Sequence, residues 1–165
     1  MKKIHALIGG WLLLFGSLSA NAAIIEFQVN LNGGQQVGGG DVDGSGIGSL
    51  FIDDVALTID WSFEVINIVM PLTGAHIHAA PAGSNGSILV DFDSQLVGTG
   101  LFDADLAAVL ANPTNFYVNL HNSEFPGGAI RGQLGAPAPV PLPAALPLLL
   151  SGLFGLFAFR RNRQG

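Results

Sequence analysis

The stretch GAHIHAAPAGSNGS places His76 and His78 one residue apart in a chain that has only four histidines among 165 residues. In a β-strand, residues two apart project from the same face, about 7 Å apart along the backbone, so both imidazoles can reach one metal ion. A third histidine, His121, ends the strand-like run NFYVNLH. Three imidazoles from two strands would make an open site for zinc or copper, with a carboxylate such as Glu124 or a water as fourth ligand. The same rings could instead hydrogen-bond backbone groups in loops and hold the ends of a sheet together. Spacing leaves both readings open, because it does not say whether the two strands are neighbours.

Other chemistries lack their parts. The chain has no cysteine, no GxSxG, no phosphate loop, and no lysine after Lys3, so no enzyme is expected. Asp91 and Asp93 alternate along LVDFD as the carboxylates of a polysaccharide hydrolase would, but they also suit a solvated acidic surface. DVDGSG (41–46) resembles a calcium loop with its glycine, Gly44, too early and no glutamate at the right distance, and it reads as a turn. NGS (85–87) is formally a glycosylation sequon and fits a tight turn before a strand.

The two ends read as processing segments. Residues 1–22 have a basic start at Lys2 and Lys3, an apolar run, and small residues at Ala20 and Ala22, which predicts a signal peptide cut by signal peptidase after Ala22. Residues 136–143 are a Pro-rich spacer, and 144–165 carry the rest of an apolar span, Leu142 to Phe159, closed by Arg160, Arg161 and Arg163. At about 27 Å as a helix, that span just crosses a bilayer, with the arginines on the cytoplasmic side. Between the ends, residues 23–143 hold all twelve acidic residues and one base, Arg131, for a charge near −11. Such a surface repels nucleic acid, which excludes that class of partner, and draws cations. Arg131 is expected to be partly buried, shared between carboxylates or backbone carbonyls, in a structural role.

The elements that must position these residues are short β-type runs: 24–31, 46–53, 55–68, AHIHA (75–79), SILVDF (87–92), NFYVNLH (115–121) and GAIRGQL (128–134). In 55–68 the side chains of Val55, Leu57, Ile59, Trp61, Phe63 and Val65 share one face, so a single strand is expected over the whole span. FDADLAAVLANP predicts a short helix with Asp103 as N-cap, Asp105 in its first turn and Pro113 after its end. NGGQQVGGGDVDGSG (32–46), with seven glycines in fifteen residues, is expected to be a mobile loop. The fold class is all-β: an antiparallel β-sandwich or barrel-like domain over 23–135 with one short helix, between an N-terminal signal peptide and a C-terminal transmembrane helix.

TGAHIHAAPAGSNGSILVDF (73–92), followed after 23 residues by FYVNLHNSEFPGGAIRGQL (116–134), resembles the CHRD domain, the module named from chordin, which pairs an HIH segment with YVN-x-H and PGG-x-IRGQ. LNGGQQVGGG resembles that family's opening segment, so the likeness covers residues 25–134. The chain departs from the pattern at Ala129, where an acid usually precedes Ile-Arg-Gly, and at Gln36, Val37 and Gly38, where Glu-Val-Pro is usual. The HxH strand is also reminiscent of copper–zinc superoxide dismutase, without that enzyme's fuller ligand set. The tail resembles a VPLPA-type PEP-CTERM sorting signal, with its motif at Val140, Pro141, Leu142, Pro143 and Ala144. That resemblance implies a Gram-negative-type bacterium whose exosortase recognises the tail, an inner-membrane intermediate, and delivery to the cell surface or to an extracellular polysaccharide matrix such as a biofilm. The expected function is therefore an exported, non-enzymatic structural or binding module. The alternatives are a zinc- or copper-binding or redox surface protein using His76, His78 and His121, and a matrix polysaccharide hydrolase.

Overall fold

The computed structural model describes residues 22–138. The expected signal peptide up to Asn21, the motif Val140–Ala144 and the apolar span lie outside the described residues. Among the described residues no helix is long and apolar enough to cross a membrane. Eight strands form one antiparallel sheet: β1 (Ile24–Asn32), β2 (Ser45–Asp53), β3 (Thr58–Ile66), β4 (Leu72–Ala79), β5 (Ser87–Asp91), β6 (Val97–Phe102), β7 (Phe116–Asn122) and β8 (Ile130–Gln133). Their order is β5-β4-β7-β8-β1-β2-β3-β6. The sheet curls into a half-barrel with one short helix, α1 (Leu106–Ala111), the barrel-like form of the expected all-β class.

Alternation decides which face turns inward. Phe27, Val29 and Leu31 of β1, Leu50 and Ile52 of β2, Ile59, Trp61 and Phe63 of β3, Ile77 of β4, and Val118 and Leu120 of β7 make one buried cluster, joined by Leu106 and Val109 of α1. The two edge strands, β5 and β6, are consecutive in the chain, and the turn between them spans the open side of the half-barrel. Phe92 donates its N–H to Ala75 of β4 at 2.9 Å, while Leu96 accepts from Phe63 of β3 at 2.8 Å. Gln95 O accepts from the Trp61 indole at 3.0 Å. The Phe92 ring sits 4.7 Å from the Trp61 ring and 5.6 Å from that of Phe63, closing the core there.

Four expectations change. The span 55–68 is not one strand: Asp53 accepts the N–H groups of Val55 and Ala56 through its side chain, Leu57 takes a positive φ of 51°, and β3 begins at Thr58. The apolar alternation ran on through a hairpin turn, leaving Val55 exposed. β6 was not anticipated, because VGTGLF has two glycines and little alternation. Gly98 lies against the Trp61 ring, where a Cβ has no room, so the glycine is what lets the edge strand approach. Asp103 does not cap α1: its carboxylate accepts from Asp105 N at 2.9 Å, a turn ahead of the helix, and Asp105 occupies the N-cap position. Residues 32–46 are tied down, by Asn32 accepting from Gln35 N at 3.0 Å and by Asp41 N donating to Ala129 O at 2.9 Å.

Phe92 is 1% exposed and joins both flanks of the half-barrel. Phe92→Ala is expected to destabilise the domain by about 3–5 kcal/mol in urea unfolding; a loss below about 1 kcal/mol would mean that the closure contributes little to stability.

Candidate metal centre

β4 and β7 are antiparallel neighbours, with Gly74 opposite His121, His76 opposite Asn119 and His78 opposite Tyr117. Ala75, Ile77, Val118 and Leu120 point into the core, so the residues between them face outward. That outer face is covered, however. His78, Tyr117, Asn119 and Arg131 are all buried there. The three histidines therefore meet on one side of the sheet. Their rings lie 4.9 Å (His76–His121), 5.4 Å (His76–His78) and 5.6 Å (His78–His121) apart. One nitrogen from each falls within 4.8 Å of the others. Gly74 makes the space: a Cβ there would run into the His76 ring.

Hydrogen bonds set which nitrogen faces the centre. His78 Nδ1 lies 3.0 Å from Gly86 O, and His121 Nδ1 lies 2.9 Å from Pro126 O. A carbonyl only accepts, so each neutral ring carries its proton on Nδ1 and keeps a lone pair on Nε2. His76 is reversed, with Nε2 3.6 Å from Asp91 Oδ1 across the β4–β5 ladder. The nitrogens left over, His76 Nδ1, His78 Nε2 and His121 Nε2, are buried without a hydrogen-bond partner. Metal-ligating histidines characteristically give their second nitrogen to a carbonyl or carboxylate in this way.

Both carbonyls belong to loops that cover the outer face. Pro126 lies in the 123–129 loop, which is held by Asn122 Oδ1 accepting from Glu124 N and Phe125 N, and by Asn119 Nδ2 donating to Gly127 O at 3.3 Å. Asn119 in turn accepts from Gln36. Gly86 ends the 80–86 loop, which is held by Arg131. The guanidinium donates to Ser84 O at 2.8 Å, Pro81 O at 3.2 Å and Gln133 Oε1 at 3.0 Å, and lies 3.4 Å above the Tyr117 ring. Arg131 is 1% exposed. Its oxygen partners are backbone carbonyls, one of the two expectations for it, together with side-chain amides, and no carboxylate is among them.

Two acidic residues stand elsewhere than expected. Glu124 is exposed on the turn after β7 and outside the histidine cluster, and the carboxylate that lies against one of the three rings is that of Asp91. Asp91 and Asp93 do not share a strand face as a hydrolase pair would, because β5 ends at Asp91 and Asp93 turns away with φ 51°, its N–H donating to Asp91 Oδ1. Asp91, Tyr117 and Asn119 gave no distinguishing signal in the sequence as members of the site. The YVN-x-H spacing, which puts Tyr117, Asn119 and His121 on one strand face, is the trace that could have found the last two.

The family model for the CHRD domain matches residues 27–134. The chain belongs to the CHRD domain family. No curated protein and no solved structure matches it.

In this CHRD domain the electrostatics favour neutral rings. The pKa of His76 is lowered, mainly by burial and then by His121, with Asp91 pulling the other way and His78 adding to the lowering. That of His78 is lowered by burial first; its bond to Gly86 opposes the shift, and His121 and Arg131 add to it. The lowering keeps both rings in the neutral form near neutral pH, the form an imidazole needs in order to ligate a metal. The shifts also set how the metal-free domain responds to acid. The unfolded chain, with histidines near 6.5, binds protons before the folded one does. Stability should therefore fall as pH drops through about 6.5 and level off once the lowered folded-state values are passed. Urea midpoints of metal-free protein across that window check this. A flat profile, or one unchanged in His78→Gln, would contradict it.

Proposed function

We propose that this CHRD domain is a metal-binding module that holds zinc or copper through His76, His78 and His121. One observation carries the reading: the three rings bring one nitrogen each within 4.8 Å of the others, and each ring holds a buried nitrogen without a hydrogen-bond partner. A buried acceptor left unpaired costs about 1–3 kcal/mol, and a cation among the three satisfies all of them at once. Imidazole suits both metals. The charge near −11 on residues 23–143 raises the local cation concentration.

The same proposal places the module outside the cell. What supports this is the sequence of the two ends: a cleavage site after Ala22, and the tail Val140 to Gln164 with its VPLPA motif and terminal arginines. Signal peptidase and an exosortase-type enzyme are the processing partners, the membrane holds the intermediate, and extracellular polysaccharide is the surrounding matrix. The domain's part is binding, with no catalytic step assigned to it.

Two measurements test the two halves. Zinc or copper(II) added to the exported protein should raise its melting temperature, by about 2.7 kcal/mol of stabilisation at a hundredfold excess over Kd, and His78→Ala or His121→Ala should abolish the shift. If neither metal has an effect while those substitutions destabilise the metal-free domain by about 1–3 kcal/mol, the histidines serve as hydrogen-bonding struts instead. For export, the intact mass of the surface protein should lack both ends. A species that keeps Phe159 and the arginines would make the tail a permanent anchor.

A further inference from the structure

We infer that Arg131 is a positioning residue of the metal centre, setting the orientation of His78 through the 80–86 loop it holds and the Tyr117 ring it lies on. The inference rests on the metal-binding reading above. Arg131 has no hydrogen bond to the histidines, yet apart from its bond to Gln133 Oε1 at 3.0 Å its side-chain contacts lead to His78. Its two terminal nitrogens reach Pro81 O at 3.2 Å and Ser84 O at 2.8 Å, with Asn85 Oδ1 at 3.4 Å. The same loop ends in Gly86, whose carbonyl takes the Nδ1 of His78.

A second route runs through the sheet. β7 lies between β4 and β8, with His78 opposite Tyr117 on one side and, on the other, Gln133 opposite Tyr117 and Arg131 opposite Asn119 on the same sheet face. The His78 ring stacks on Tyr117 with centroids 4.9 Å apart and planes within 8°. The guanidinium lies 3.4 Å from the centre of the Tyr117 ring. Tyr117 Oη also accepts from Gly86 N at 3.3 Å, which ties the ring to the residue that orients His78. Arginine is suited to this position for two reasons. Its planar fork spans two carbonyls three residues apart, and its flat face stacks on an aromatic ring. Lysine keeps the charge and supplies neither. His121 is oriented independently, by Pro126 on a loop that Asn119 holds. The effect of Arg131 should therefore be confined to one ligand of the three.

The test uses the exported protein and Arg131→Lys. Zinc and copper(II) affinities are measured by chelator competition, and imidazole nitrogen NMR reads the tautomers of the metal-free protein. Arg131→Lys should weaken binding by about 10–100-fold, the range found when partners of metal ligands are lost. His78 should lose its preference for Nδ1–H, while His121 keeps it. Asn85→Ala, at an exposed position, should give a smaller loss in the same direction and decides the matter if Arg131→Lys does not fold. Leu50→Ala, in the core on β2 and remote from the site, is the control for loss of stability alone; its affinity should stay within about twofold. Unchanged affinity and an unchanged His78 tautomer in the Arg131 or Asn85 variant would overturn the inference. So would an equal loss in Leu50→Ala. Wild-type protein that binds neither metal would sink the metal-binding reading itself, and the inference with it.

Discussion

The register between β4 and β7 is the constraint on which the rest of the structure depends. With His78 opposite Tyr117 and Gly74 opposite His121, the three histidines meet on the outer face while Ile77, Val118 and Leu120 enter the core. A slip of one residue would turn every side chain of the shifted strand to the other face. It would put imidazoles into the hydrocarbon cluster and isoleucine among the loop carbonyls. The apolar core and the polar site are thus specified by one pairing, and each defends the other against misregister.

Burial on both faces explains why β7 carries the residues it does. An antiparallel strand with one solvated face can leave polar groups to water. Here loops 80–86 and 123–129 cover the outer face, so the buried polar groups of Tyr117, Asn119 and Arg131 need partners within the protein, and they find them in loop carbonyls and one another. The covering loops are in turn held to the sheet by those side chains. The polar layer is therefore a second core, built from hydrogen bonds and stacking, and the histidine nitrogens that face inward are its unsatisfied members.

Much of this was legible in the sequence, and the gaps have physical causes. Period-two alternation located most strands, and the HxH spacing placed His76 and His78 on one face, because both follow from the local pleat. The adjacency of β4 and β7 is topological: His121 lies 45 positions after His76, and no local pattern says that their strands pair. Glu124 was a natural choice of acid because it lies three residues after His121, but the strand ends at Asn122 and the turn carries Glu124 away. Asp91 reaches His76 through a strand pairing instead. β6 was missed for the opposite reason: its glycines weaken the strand signal, and what they permit, close approach to Trp61, appears only when the sheet is assembled.

The two readings that the histidine spacing left open describe different atoms of the same rings. Each imidazole has two nitrogens, and the outward one of His78 and of His121 is a strut, bonded to a loop carbonyl as the structural reading requires. That bond has a consequence for the inward nitrogen. Holding the proton on Nδ1 leaves Nε2 with its lone pair exposed to the centre, so a stronger strut makes a better ligand. A domain that needed only struts could turn its inward nitrogens towards water or replace the rings by asparagine, which offers a donor and an acceptor without a third party. Buried imidazole nitrogens left without a donor, on three rings packed together, are disfavoured by themselves. A cation at the centre would reverse that balance, which is why the proposed metal and the hydrogen-bonding struts support rather than exclude each other.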